Sequence, residues 1–372
     1  MRILIVHPRM SIKGGGERVA LHSILAGLRS GHSVSLVSEE FDTADFEDFF
    51  GCKGLFDDVN LIKYPRFKPI VGNRILLYQR LTYHQMHLRR VLSNAGRFDL
   101  AMGTQDIGYV PNLKDPILQY CYFPEYFTHL ESSPSSKTWR LYYWPASRFY
   151  KNRVRRVGQL LAVSDYSREF VRQKWGRESE TLYPPCPTET YSSLNEPKEN
   201  LVVTIGRIVP EKRMHLFMEI ARRLKDYRFV VIGSRSESGL AYFESLKKSA
   251  PSNLDFVLSP LRKVRELLAR SKVYVHCALN EHFGITIVEA MSARCVPVVH
   301  DSGGPREIID ETVGFRWEEI DKAVEQIASL MTDEDLCEKL AAAASRRALD
   351  YSPATFESKL TRIFATYNSR NK

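Results

Sequence analysis

Leu201-Val202-Val203-Thr204-Ile205-Gly206-Arg207 is a β-branched run that closes on a glycine turn, and behind it Leu216, Phe217, Ile220 and Leu224 recur at helical spacing. The chain opens with the same grammar: Ile3 to Val6, then Gly14-Gly15-Gly16-Glu17, then a stripe at Val19, Leu21, Ile24, Leu25 and Leu28. Each is the start of a strand-turn-helix unit. Apolar runs at 34–37, 100–102, 117–120 and 160–163 follow the first, and runs at 229–232, 254–257, 273–276 and 296–299 follow the second. Strands alternating with helices build parallel sheets, so the expected class is α/β with two Rossmann-like, doubly wound domains. Residues 1–185 form the first domain in this reading and 200–350 the second. The proline-rich stretch 186–199 joins them, and 351–372 is a C-terminal helix able to pack back on the first domain. Ligands of open α/β sheets bind outside the carboxyl ends of the strands, so two such domains facing a central cleft would hold their ligand there.

The 372 residues carry 53 Lys and Arg against 44 Asp and Glu, a net charge of +9, with 44% hydrophobic and 26% charged residues. That balance excludes a disordered chain and a polytopic membrane protein. The charge is localised. Residues 51–177 hold 21 basic and 9 acidic side chains, a net +12, while the remaining 245 residues come to −3. The same third has 21 of the 41 aromatics, which points to an anionic partner: a phosphorylated substrate, a lipid surface or nucleic acid. Six scattered cysteines without a C-x-x-C pair suggest reduced core thiols. The opening residues are too short an apolar run for a signal-peptide core, and no run reaches the roughly 18 apolar residues of a membrane span, so the expectation is a cytoplasmic protein.

Three clusters carry the chemistry. Gly14-Gly15-Gly16-Glu17-Arg18 could cradle a phosphate on backbone N–H groups at a helix start, or be a tight turn needing positive φ. It is not G-x-G-x-x-G, because position 19 is Val19, and no P-loop motif occurs. Arg207 and Lys212 flank the turn that opens the second domain, where two cations could neutralise a diphosphate or simply be surface charges near a helix. Asn280-Glu281-His282-Phe283-Gly284-Ile285 leads to Glu289, and on a helical wheel positions eight apart lie about 80° apart, close enough to face one cleft. His282 reads as a core histidine. Asp301-Ser302-Gly303-Gly304-Pro305 is a further glycine turn, expected to present free N–H groups.

These motifs in this order resemble the retaining GT-B glycosyltransferases of family 4. His7-Pro8, the first glycine cluster, the 280–285 stretch and His300 to Pro305 are more narrowly similar to mannosyltransferases that extend lipid-diphosphate-linked oligosaccharides for asparagine glycosylation. The resemblance implies a GT-B fold and a nucleotide sugar as co-substrate, GDP-mannose favoured. It implies Arg207 and Lys212 on the donor diphosphate, Glu281 on the hexose hydroxyls and Glu289 on the ribose. Gly15 and Gly16 would lie near the phosphates or acceptor, with Phe283, Gly284, Ile285, Gly303 and Gly304 as further substrate contacts. Where many relatives carry histidine this chain has Tyr122, so that role does not transfer: as a candidate substrate contact Tyr122 either meets the donor differently or the function is displaced.

With two cations and helix N-termini on the leaving diphosphate, no metal and no other cofactor is expected. The only D-x-D triplet, Asp333-Glu334-Asp335, reads as an acidic helix start. Segments 63–97 and 137–156 combine cations with Trp and Tyr, which suits an anionic membrane surface, so a peripheral place on the cytoplasmic face is expected and nucleic acid is not. Other readings are a UDP-sugar-dependent glucosyl or N-acetylglucosaminyl transferase, a sugar-nucleotide epimerase, or a non-catalytic membrane- or nucleic-acid-binding protein.

Overall fold

The computed structural model describes residues 1–70, 76–124, 137–193, 196–234, 239–258 and 261–370. The chain divides into two units, Met1–Pro185 with Phe356–Lys372, and Cys186–Thr355.

In the first unit the strands are β1 (Arg2–Val6), β2 (Ser33–Glu39), β3 (Val59–Tyr64), β4 (Leu100–Gly103), β5 (Ile117–Cys121), β6 (Gln159–Ala162) and β7 (Glu180–Thr181). They lie in the order β3-β2-β1-β4-β5-β6-β7, with every pairing parallel. Ile3, Leu4, Ile5 and Val6 are all buried, as a strand covered by helices on both faces requires. Strand β3 escapes the sequence reading because its apolar residues are broken by Asn60 and Lys63, an alternation suited to a sheet edge.

The helix Pro353–Arg370 contributes to this unit from Phe356 onward. Leu360 and Phe364 are fully buried, and Phe356 meets Tyr120 edge-on with ring centroids 6.2 Å apart. The buried Glu357 accepts a hydrogen bond from His22 Nδ1 at 2.7 Å, or pairs with it, and forms an ion pair with Arg29.

The second unit has β8 (Glu199–Arg207), β9 (Arg228–Ser234), β10 (Leu254–Leu258), β11 (Ser271–His276), β12 (Val296–His300) and β13 (Phe315–Trp317), ordered β10-β9-β8-β11-β12-β13 and again parallel. Phe217 and Ile220 from the expected stripe enter a core with Val202, Phe229, Val273 and Trp317, while Leu216 and Leu224 pack at its margin. Residues 186–199, expected as a linker, lie in this unit: they hold the helix Thr188–Ser192, with Cys186 and Tyr191 buried. Asp333 divides 320–349 into the helices Ile320–Thr332 and Glu334–Ala348, and its side chain accepts the Leu336 N–H at 2.9 Å. The acidic triplet therefore begins with a helix cap.

The six cysteines are free, five of them buried. No helix among the described residues is long and apolar enough to cross a membrane.

Removing this buried carboxylate leaves His22 Nδ1 without its hydrogen-bond partner and Arg29, itself largely exposed, without its ion pair. Glu357→Ala should therefore lower stability by about 1–2 kcal/mol, the scale of a lost hydrogen bond in a buried place. Urea denaturation followed by circular dichroism measures this, and an unchanged midpoint contradicts the role given to Glu357.

Candidate functional site

In both units the strand order reverses at one place, and loops leaving the two strands there diverge to open a crevice. In the second unit those strands are β8 and β11. Arg207 ends β8 and is exposed. A turn, Pro210–Lys212, follows, and Arg213 closes it in the left-handed region at φ 51°. His276 ends β11, and the loop behind it turns through Asn280, also at φ 51°, to deliver Glu281. Such strain at side-chain-bearing residues persists where surrounding contacts over-determine it.

Lys212 forms an ion pair with Glu281, and His276 Nε2 lies 3.7 Å from the same carboxylate. Burial opposes a charge on Glu281, but the fields of Lys212 and His276 and the hydrogen bond from Lys212 outweigh it and hold the carboxyl at about 2. Burial pulls His276 down to about 4, so it is neutral at pH 7. Its Nδ1 meets Tyr274 Oη at 3.2 Å, and that phenol lies 2.8 Å from Thr286 Oγ1.

Glu281 and Glu289 do not share a helix. The helix Ile285–Ser292 starts after Gly284, whose φ is 105°, so the helical-wheel angle expected for the pair does not apply. Their fields nevertheless meet at Tyr274, which burial first, then both carboxylates, push above its ordinary pKa. Phe283 is buried against Tyr351, with ring centroids 5.4 Å apart. Ile285 heads the helix, and Gly284 O accepts the Ile287 N–H at 2.9 Å.

The Gly303-Gly304 turn differs from expectation. The Gly304 N–H is not free: it donates to Glu281 O at 2.8 Å. A Cβ on Gly303 would stand 2.5 Å from Glu281 O, and one on Gly304 would stand 2.4 Å from His282 O. The two glycines are therefore needed for the backbone of 280–283 to lie against the turn. Ser302 Oγ completes the support, accepting the Asn280 N–H at 3.0 Å. Arg213 is a cation the sequence reading missed; its field lowers His300 after burial does, and its Nη1 reaches Cys277 O at 3.4 Å.

In the first unit the reversal falls between β1 and β4, and His7 Nδ1 bridges their ends to Thr104 Oγ1 at 2.8 Å. His7 Nε2 lies 3.1 Å from Glu17 Oε1, and Glu17 Oε2 accepts the Gly14 N–H at 2.7 Å. Burial works against the Glu17 charge, but His7 and that N–H prevail and its pKa lies below the usual value. The glycine cluster is thus tied down from within, with Gly15 the first residue of its helix, Gly15–Arg29.

Tyr122 braces the same turn: its hydroxyl donates to Thr104 O at 3.1 Å and Gly16 O at 3.4 Å. Beside it lies a cavity of about 440 Å³ lined by Arg9, Gly16, Arg80, Gln105, Asp106 and Tyr122. Arg9 and Arg80 are 71 positions apart with no motif between them, so only the fold makes them neighbours. Glu125, at the end of the segment containing Tyr122, lies outside the described residues. Among the described residues no group of three or more His, Cys, Asp or Glu side chains could hold a metal.

The family described as "Glycosyl transferases group 1" matches residues 188–347. Among curated proteins, a "GDP-Man:Man(3)GlcNAc(2)-PP-Dol alpha-1,2-mannosyltransferase" of Candida glabrata is 30% identical over 222 residues, 51% of this chain and 44% of that protein. A protein of the same name from Dictyostelium discoideum is 24% identical across 97% of this chain and 83% of its own length. The chain spans less than half the length of the first of these relatives. A solved structure of Anabaena Alr3699/HepE in complex with UDP and glucose shares the fold, with a TM-score of 0.71 and 17% identity, covering 98% of this chain and 99% of that one.

The titration of the site has a definite sign. Between pH 6.5 and about 4 the unfolded chain binds a proton at His276 that the folded unit does not, so stability falls as pH falls through this window. From 4.5 to about 2 the protonation of Glu281 continues the loss. In His276→Gln the first slope should flatten while the second remains. Amide hydrogen exchange of β11 between pH 4 and 7 reads it, and an unaltered slope contradicts the assignment.

Proposed function

With a group 1 glycosyltransferase domain in its second unit, we propose that this protein transfers mannose from GDP-mannose to a lipid-diphosphate-linked oligosaccharide. The observation that carries the reading is the ionised Glu281 held between Lys212 and His276 at the carboxyl end of β11. A carboxylate kept charged by its partners accepts hydrogen bonds from the hydroxyls of a bound hexose. An ammonium has three N–H donors, so Lys212 can serve Glu281 and still reach a diphosphate. Arg207 and Arg213, on the same loop, add charge where the leaving group gathers it, and Glu289 receives the ribose. The names of the relatives supply the mannose, the guanine nucleotide and the lipid-linked acceptor.

In this reading the acceptor hydroxyl attacks the anomeric carbon from the face the diphosphate leaves. The bond from that carbon to the phosphate oxygen breaks, the new glycosidic bond forms, and a phosphate oxygen takes the hydroxyl proton, so configuration is retained. The fixed cations act by preorganised electrostatics, without a metal. Neutral His276 supports Glu281 without adding a charge to it.

The first unit handles the acceptor and meets an anionic membrane surface. On the helix Lys137–Arg156, Ala146, Tyr150 and Val154 are buried, while Leu141, Trp144, Arg148, Lys151 and Arg155 recur at helical spacing on the outside. Leu141 is 75% and Trp144 62% exposed, an apolar edge above a cationic stripe. The side chains of 137–140 and residue 74, parts of the expected basic segments, lie outside the described residues. Cations near a charged leaflet contribute about 1 kcal/mol each.

Glu281→Gln and Arg207→Ala should each lower turnover at least ~100-fold, the scale of a lost electrostatic contact to the reacting groups. Radiolabelled GDP-mannose with a lipid-linked oligosaccharide is the assay, and near-normal rates in either variant would refute that residue's role. UDP-glucose raising the melting temperature where GDP-mannose does not would replace the donor assignment. Flotation with anionic liposomes should show salt-sensitive binding that the triple change Arg148→Glu, Lys151→Glu and Arg155→Glu abolishes. Binding that survives it places the membrane contact elsewhere.

A further inference from the structure

Tyr274 and His276 lie two positions apart on β11, so both side chains leave the same face of the sheet, and both are buried. Their rings are close to parallel, at 26° with centroids 6.3 Å apart. Tyr274 Oη stands between two groups, Thr286 Oγ1 at 2.8 Å and His276 Nδ1 at 3.2 Å. The other ring nitrogen, Nε2, is buried and has no hydrogen-bond partner among the described residues. It lies 3.7 Å from Glu281 Oε2, the oxygen that pairs with Lys212.

A neutral imidazole carries a single N–H, and the hydrogen bond at one nitrogen decides what the other presents. Two arrangements satisfy the Tyr274 hydroxyl. In one, Nδ1 donates to Tyr274 and Tyr274 donates to Thr286, which turns the Nε2 lone pair towards a carboxylate in a place withdrawn from water. That contact is repulsive, and the low local dielectric makes it costly. In the other, Thr286 donates to Tyr274 and Tyr274 donates to Nδ1, so Nε2 carries the proton and its N–H dipole faces the Glu281 charge. Burial above all keeps Tyr274 protonated at neutral pH, so it has a proton to give.

We propose that Tyr274 is a positioning residue for Glu281: its hydroxyl donates to His276 Nδ1, holds the ring as the tautomer protonated on Nε2, and so aims an N–H at the carboxylate. At 3.7 Å this is a charge–dipole attraction rather than a hydrogen bond. It orients Glu281 and leaves the carboxylate lone pairs for the hydroxyls of a ligand. The inference rests on the proposal that Glu281 receives the donor hexose, and it adds the device that steers that carboxylate. Tyr274 acts through His276 and needs no contact with the sugar.

Nitrogen-15 NMR of the protein labelled at histidine reads the tautomer, because protonated and unprotonated ring nitrogens resonate far apart; His276→Gln assigns the signal. At pH 7 the parent should carry the proton on Nε2. Tyr274→Phe should shift the Nδ1 resonance, whose lone pair loses its donor, while Nε2 stays protonated. Calorimetry gives the functional readout. In Tyr274→Phe the affinity for GDP-mannose should fall by about fivefold, the scale of one net hydrogen bond, with kcat/KM falling in step. Binding of GDP, which lacks the hexose, should be unchanged. In the His276→Gln background Tyr274→Phe should have no further effect, since the ring through which it acts is gone.

A proton on Nδ1 in the parent overturns the proposal, and that measurement needs no variant. An Nδ1 signal unmoved by Tyr274→Phe overturns it as well. So does an equal loss of GDP and GDP-mannose binding, the mark of a merely structural tyrosine, or a Tyr274→Phe effect undiminished in the His276→Gln background. If the parent transfers mannose with the proton on Nδ1, this inference fails and the enzymatic reading stands. If Nε2 carries the proton and GDP-mannose binding responds as expected, but no acceptor receives mannose, the positioning of Glu281 stands and the enzymatic reading falls.

Discussion

The ion pair of Lys212 with Glu281 is the interaction on which the arrangement at the carboxyl ends of β8 and β11 depends. The two residues are 69 positions apart and meet because β8 and β11 are neighbours in the sheet. A carboxylate this withdrawn from water would take up a proton if left alone, and a protonated carboxyl is a poor hydrogen-bond acceptor. Lys212 prevents that. Neutral His276 sits behind the carboxylate without competing with the ammonium, and the glycine turn at 303–304 bonds the Glu281 backbone so that its side chain has a fixed origin.

The first unit solves a related problem with less charge. Its crossover is bridged by His7 and Thr104, and Glu17 is spent on the N–H of Gly14, so the turn is rigid before any ligand arrives. The cations there, Arg9 and Arg80, line the adjoining cavity rather than the turn itself. Two sheets with the same winding thus present different surfaces: one carries an internal ion pair, the other an internally tied loop beside guanidinium groups.

Sheet class and most strands were legible because fully covered parallel strands read as continuous apolar runs, as at 3–6 and 201–205. Strand β3 was not, since an edge strand keeps polar residues, and neither was the short β13. The positions of Arg207, Lys212 and Glu281 followed from their place at strand ends. Their partners were less visible: His276 looks in the sequence like the last residue of a strand, and Arg213 looks like another surface cation. Gly303 and Gly304 were marked as a turn, but only the fold shows that the space they leave is filled by the 280–283 backbone. Tyr122 stood out as a departure from the family pattern, and its bonds to Thr104 and Gly16 give it a bracing place there.

The helix that locks the first unit is encoded after the whole of the second. During synthesis the first unit therefore emerges without Phe356, Leu360 and Phe364, and the apolar surface they later cover faces solvent while some 170 further residues are translated. Its assembly is a closing step rather than an opening one: emergence of the helix from Phe356 onward, not of the first sheet, completes the core of the first unit. A chain stalled or cleaved before residue 356 would present a fully made second sheet attached to an open first one.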